Sequence, residues 1–254
     1  MRNTLFIGKV YHRFVEIPST NDYAQEMVAK SRPAEGTVVR ADSQSAGRGQ
    51  FGSRWQAEPG LNLTLSVILY PSYLEVGRQF YLSMVAALAV HDTLSACGFA
   101  DAKIKWPNDL LIDGRKAAGI LIQNSLKGDR IGSSVVGIGL NVNQSVFPPE
   151  LTQATSMALV AQKPFDLQNV ENTLLGSFEH RYLQLKSEKY AELNADYHER
   201  LYARGEWRVF RRPDALPFRA RVEGVEPESG RLCLLSEDGE TAWYDLKEVG
   251  WVLG

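Results

Sequence analysis

Leu61-Asn62-Leu63-Thr64-Leu65-Ser66-Val67-Ile68-Leu69-Tyr70 is the stretch on which the fold class turns. Leu61, Leu63, Leu65, Val67 and Leu69 alternate with Asn62, Thr64, Ser66, Ile68 and Tyr70, and this period of two predicts a strand with one well-buried face. Toward the N-terminus, residues 36–41 are β-rich and residues 14–17 read as a short strand. Between them, Ser19 or Thr20 offers an oxygen to cap a helix over residues 21–30. Toward the C-terminus, Phe80, Met84, Val85, Leu88 and Leu94 recur at helical spacing between Val76 and about Cys97, and Gly98 ends that helix. Residues 104–106 make a short strand, 109–112 and 116–123 pair around an Asp113-Gly114 turn, and 135–142 return as a strand. Two helices follow, over about 166–186 and 188–204.

The character of the chain changes at Gly205. Beyond it only short strands are predicted, at residues 207–210, 218–225, 231–235, 241–246 and 249–253, with Pro213, Pro217, Ser229-Gly230 and Asp238-Gly239 between them. That pattern predicts a small β-barrel. The expected architecture is α+β: a mixed sheet with packed helices over residues 1–205, then a barrel over residues 206–254.

The 254 residues carry 28 Lys and Arg against 30 Asp and Glu, a net charge of −2, so any pull on nucleic acid or anionic membrane has to come from a local patch. Neither partner is expected. Cys97 and Cys233 stand far apart, with no metal-ligand spacing and no disulfide framework, as suits a reducing compartment. The first residues carry charges every few positions and no apolar h-region. The longest uncharged run, residues 131–149, is broken by Gly, Ser, Asn, Gln and two prolines. A cytoplasmic protein is expected.

Two segments carry chemistry. The first is Asp42-Ser43-Gln44-Ser45-Ala46-Gly47-Arg48-Gly49-Gln50-Phe51-Gly52-Ser53-Arg54-Trp55. Its three glycines in six positions let the backbone bring N–H groups to an anion, and Arg48 and Arg54 add fixed positive charge. No Gly-Lys-Ser/Thr closes it, so it is not a Walker loop. Alone, it also reads as a flexible surface turn. The second is Lys105-Trp106-Pro107-Asn108-Asp109, with Lys116 seven residues on and then Gly119. Pairing across Asp113-Gly114 folds Lys116 back toward Asn108 and Asp109, beside a backbone held by Pro107. Alone, this too reads as an incidental pair on a surface hairpin.

Together and in this order, Ser19-Thr20-Asn21, Gly47-Arg48-Gly49, the 105–109 run with its trailing Lys116, and Gly137-Ile138-Gly139-Leu140-Asn141-Val142-Asn143 resemble the biotin–protein ligases. The resemblance covers nearly the whole chain, and the residues after Gly205 are similar to that family's SH3-like barrel. It implies the class II synthetase-like catalytic fold of biotin and lipoate ligases, in the compact form lacking an N-terminal helix-turn-helix. One departure stands out. The family loop is written Gly-Arg-Gly-Arg-x-Gly-Arg-x-Trp, whereas here the second and third arginines are Gln50 and Ser53, and Arg54 falls one place later.

The resemblance implies ATP-dependent attachment of biotin to a lysine of a biotin carboxyl carrier protein, through biotinyl-5′-AMP. Adenylation supplies the leaving group, so no enzyme nucleophile is needed. The four histidines (His12, His91, His180 and His198) form no convincing triad. Arg48 and Lys116 are implied as the catalytic cations. Ser19, Thr20, Asn21, Gln44, Gly47, Arg48, Gly49, Gln50, Lys116 and Gly119 are implied at biotin. Arg48, Trp55, Lys105, Asn108, Asp109, Lys116 and Asn141 are implied at ATP and the adenylate. Asn141 is the candidate for reading adenine, and Trp55 either packs on adenine or anchors the loop. Mg2+ is expected to bridge ATP oxygens, with Asp109 either helping to hold it or orienting Lys116. Homodimers joined at a sheet edge occur in the family. The rival readings are a lipoate or octanoate ligase of the same fold and a non-catalytic biotin-binding regulator.

Overall fold

The computed structural model describes residues 4–213 and 215–252, so Leu253, the expected end of the last strand, lies outside the described residues. The order is β1 (Tyr11–Ile17), α1 (Thr20–Ser31), β2 (Val38–Gln44), β3 (Leu63–Leu69), α2 (Phe80–Ala96), β4 (Lys103–Lys105), β5 (Asp109–Ile112), β6 (Arg115–Lys127) and β7 (Arg130–Leu140). Then come α3 (Met157–Ala161), α4 (Leu167–Lys186), α5 (Tyr190–Glu199), β8 (Trp207–Arg211), β9 (Phe218–Val225), β10 (Leu232–Ser236), β11 (Thr241–Tyr244) and β12 (Gly250–Trp251). A seven-stranded sheet runs β1-β2-β3-β7-β6-β5-β4, and a five-stranded one β11-β10-β9-β8-β12. Only β1–β2 is parallel; the other ladders are antiparallel. The α+β architecture read from the sequence is the one that forms.

The alternating stretch becomes β3, but with every residue buried rather than one face. Leu63, Leu65, Val67 and Leu69 join the main core beneath α2 and α4, where each buried side chain contributes about 1.5–3 kcal/mol relative to exposure. The opposite face is closed by α1. Ile68 packs there with Ala24, Val39 and Val135, and Ser66 lies within hydrogen-bond distance of Thr20 and Asn21. An alternating sequence identifies a strand, yet a helix docked on the polar face buries that face as well.

Ser19 caps α1 by accepting from the Asp22 N–H at 3.3 Å. The helix expected from Val76 is divided: a 3₁₀ turn over Val76–Arg78 precedes α2, which ends before Gly98 at φ +101°. The helix expected to reach 204 stops at Glu199, because the next segment bonds to β4 instead, through Ile104 N–H to Arg200 O and Tyr202 N–H to Ile104 O. α3 has five residues, too few to show a helical period, and was not foreseen.

The two sheets meet through specific bonds. Val225 N–H donates to His198 Nε2 at 2.9 Å, while Nδ1 of the same ring faces Asn194 O at 2.8 Å. Trp106 Nε1 donates to Gly230 O at 2.8 Å, and Trp251 Nε1 to Trp106 O at 3.2 Å. The turn before β5 is thus held from the C-terminal sheet.

Candidate functional site

The Gly-rich segment folds as a miniature hairpin. Gly49 N–H donates to Ser53 O at 2.7 Å, Trp55 N–H to Gly47 O at 3.1 Å, and Arg48 and Arg54 face each other across an antiparallel bridge. A Cβ on Gly47 would lie 2.4 Å from Trp55 O, so only glycine permits this closure. The hairpin delivers both arginines and Trp55 to one wall of a cavity of about 350 Å³.

β5 and β6 deliver the facing wall. Asp113 and Gly114 both take positive φ, and the turn returns Lys116 so that its Nζ stands 2.7 Å from Asp109 Oδ1. This is an ion pair and not an aligned hydrogen bond, so Asp109 Oδ1 keeps a lone pair without a partner. Asn108 anchors the corner by donating Nδ2 to Ile120 O at 2.8 Å.

At the far end, Gln44 Oε1 accepts from Thr20 N–H at 2.7 Å, and Asn21 Nδ2 donates to Leu121 O and Gln123 Oε1, both at 3.2 Å. Ser19, Thr20, Asn21, Gln44 and Thr64 make this end amide- and hydroxyl-rich, and Leu65, Ile120, Leu121 and Ile138 line an apolar passage. Four cations (Arg48, Arg54, Lys116 and Lys247) border the cavity against one carboxylate, Asp109, among the described residues. The cavity therefore suits a ligand that combines neutral polar, apolar and anionic parts.

Of the residues singled out from the sequence, Ser19, Thr20, Asn21, Gln44, Arg48, Gly49, Gln50, Trp55, Asn108, Asp109, Lys116 and Gly119 all border this cavity. Gly47 lies within the loop rather than on the wall. Lys105 stands behind the wall with Nζ 5.8 Å from the Trp251 ring, and burial pushes its ammonium down from the ordinary 10.5, against the pull of Asp109.

Asn141 is not on the wall either. It is buried, donating Nδ2 to Thr155 O at 3.0 Å and its N–H to Ala117 O at 2.8 Å, while its carbonyl accepts from Met157 N–H. The segment leading into the unforeseen α3 lies along Lys116 and Asn141 and takes the amide N–H, while Asn141 Oδ1 stays buried without a hydrogen bond.

The glycines of β7 admit the protein's own side chains. A Cβ on Gly139 would lie 2.2 Å from the Trp55 indole, and one on Gly137 would lie 2.3 Å from Asn21 Oδ1. Lys116 Nζ sits 6.0 Å from the centroid of the same Trp55 ring. Arg48 is engaged by Asp22, in the first turn of α1.

Several lining residues had no signal in the sequence. Leu246, Val249, Gly250 and Trp251 reach the cavity from the C-terminal sheet, and Arg54, Trp106 and Lys247 border it too. Arg54 and Trp106 were findable, since both lie in the segments already quoted and Arg54 was read there as fixed positive charge for an anion.

As for metal, no group of three or more His, Cys, Asp or Glu side chains is gathered among the described residues. A Mg2+ ion would be held chiefly by ATP oxygens, and Asp109, ion-paired to Lys116, is the one carboxylate bordering the cavity among the described residues that could add a contact. No helix among the described residues is long and apolar enough to cross a membrane.

The sequence profile of the biotin/lipoate A/B protein ligase family matches residues 13–141. A biotin–[acetyl-CoA-carboxylase] ligase of Mycobacterium tuberculosis is 33% identical over 223 residues, which is 85% of this chain and 79% of that protein. The bifunctional ligase/repressor BirA of Bacillus subtilis is 38% identical over 176 residues, 68% of this chain and 53% of that protein. The chain thus spans about half the length of the bifunctional relatives it matches. A biotin protein ligase from Aquifex aeolicus in complex with biotin and ATP superposes with a TM-score of 0.78 at 26% identity, over 95% of this chain and 98% of that one. This chain belongs to the biotin/lipoate A/B protein ligase family.

Proposed function

We propose that the protein joins biotin to a lysine of a biotin carboxyl carrier domain, using ATP, through biotinyl-5′-AMP. The observation that carries this reading is the make-up of the cavity lining: the amides and hydroxyls of Asn21, Thr20 and Gln44, with four cations and one carboxylate among the described residues. A ureido group presents one carbonyl and two N–H groups, which amide and hydroxyl side chains satisfy together. A lipoyl or octanoyl chain has no such head, so the same end disfavours the rival ligases. The identity to the M. tuberculosis biotin ligase supports the same choice.

Two anions must meet in the first step. The biotin carboxylate attacks the α-phosphorus and pyrophosphate leaves with the P–O electron pair. Lys116 and Arg48, preorganised on facing walls, oppose that repulsion. Mg2+ arriving with ATP neutralises phosphate charge. Asp109 holds the Lys116 ammonium in the cavity by their ion pair. In the second step the neutral lysine amine of the carrier forms the amide bond, the acyl C–O bond breaks, AMP departs with the electron pair, and a proton passes to solvent.

We further assign residues 1–205 to the ligase unit and 206–254 to the barrel, with the reaction in the cytoplasm. Pyrophosphate–ATP exchange, measured separately with biotin, lipoate and octanoate, tests the assignment. Exchange driven by biotin alone is expected; exchange driven by lipoate or octanoate in its place sinks it.

A further inference from the structure

A second groove, of about 220 Å³, adjoins the cavity and shares Gln50, Pro107, Asn108, Ile120 and Leu246 with it. Its polar lining consists only of amides and hydroxyls: Gln50, Gln79, Ser83, Asn108, Asn124 and Ser229. No ionisable side chain borders it among the described residues, whereas the adjoining cavity gathers four cations. At the seam stands Gln50, where the family loop pattern carries an arginine, so the neutrality of the groove depends on this chain's own departure. Asn124 Nδ2 donates to Gln79 Oε1 at 3.2 Å, while Asn124 Oδ1 is buried with no partner.

We propose that this groove seats the peptide backbone flanking the acceptor lysine of the carrier. The inference rests on the proposed function, since it supplies the site for the second substrate of the same reaction. A backbone alternates N–H donors with C=O acceptors, and side-chain amides offer both. Polyanions such as ATP and pyrophosphate are held by cations, and this groove has none among the described residues. The absence of carboxylates serves the chemistry as well. The attacking lysine has to be neutral, and a nearby carboxylate would favour its ammonium form. The shared edge at Gln50 and Asn108 leaves the groove open to the cavity, so a lysine side chain has a direct way in.

The test is the double variant Gln79→Ala/Asn124→Ala in the full chain. Two readings are taken: biotin-driven pyrophosphate–ATP exchange, and transfer to the biotin-free carrier domain of acetyl-CoA carboxylase. Unchanged exchange is expected, with the KM for the carrier domain raised about tenfold by the loss of backbone hydrogen bonds. Transfer to hydroxylamine, which has no backbone to seat, is expected at the wild-type rate. An unchanged carrier KM overturns the proposal, as does a parallel fall in exchange, which would make the groove part of the nucleotide site. If the double variant does not fold, Ser83→Ala is read the same way, with the same two outcomes. Failure of the proposed function itself shows separately, as wild-type exchange that biotin does not drive.

Discussion

Two cation–carboxylate pairs in this molecule are alike in chemistry and opposite in setting. Arg40 and Glu171 join β2 to α4 with side chains 4% and 0% exposed, and Tyr11 adds a hydrogen bond to the same carboxylate at 2.6 Å. Lys116 and Asp109 join the two strands of one hairpin, with side chains 39% and 19% exposed. The first pair is sealed between layers, so losing either partner leaves a charge that water cannot reach. The second lies open to a cavity, so Lys116 can exchange part of its attraction to Asp109 for an incoming anion. Burial makes one pair a structural tie, and exposure leaves the other open to a ligand.

Glu171→Ala should do the largest damage, lowering the unfolding free energy by about 3–5 kcal/mol. Urea titration checks this, and a stability near wild type would break the comparison. Lys116→Ala should instead stay within about 0.5 kcal/mol of wild-type stability. Its biotin-driven exchange should nevertheless fall about 100- to 1,000-fold, the usual cost of a lost preorganised charge. Normal exchange in that variant would remove Lys116 from the chemistry.

Gly139→Ala probes the seat of Trp55. The added methyl would overlap the indole, so the ring has to move, at about 1–3 kcal/mol. A tryptophan emission spectrum identical to wild type would show that the ring does not rest there. Smaller effects belong to the contact between the sheets. Burial holds the His198 imidazole below its ordinary 6.5, against the raising bond to Asn194, so the neutral ring is the folded form. Its contribution is present in full above pH 6.5 and is lost as the pH falls below that value, because the unfolded chain then binds the proton first. The stability gap between wild type and His198→Gln should therefore narrow on acidification; a gap that widens would reverse the assignment. Smallest of all, Arg13→Ala breaks a surface pair with Asp42 and should cost no more than about 1 kcal/mol.

The legible parts of the site are those built by local geometry. A two-residue turn with Asp113 and Gly114 leaves little freedom in where Lys116 returns, so spacing alone brought it to Asp109. Ser19 capped α1 as its residue type implies. Asn141 was less legible: its place off the cavity wall, with Nδ2 bonded to Thr155 O ahead of the short α3, shows in no local pattern. Gly139 is a position of close approach, and the group that approaches is Trp55.

By itself, the sequence determined the strands, the helices with full periods, the change of character at Gly205 and the order of the family's motifs. These depend on side-chain period, turn residues and neighbours a few positions apart. Tertiary structure alone decided that both faces of β3 are buried, that Trp251 closes the site by bonding to Trp106 across 145 positions, and that one ion pair is sealed and the other open. The reason is physical. Exposure and electrostatic strength belong to what packs on a residue from elsewhere in the chain, and no local pattern encodes that.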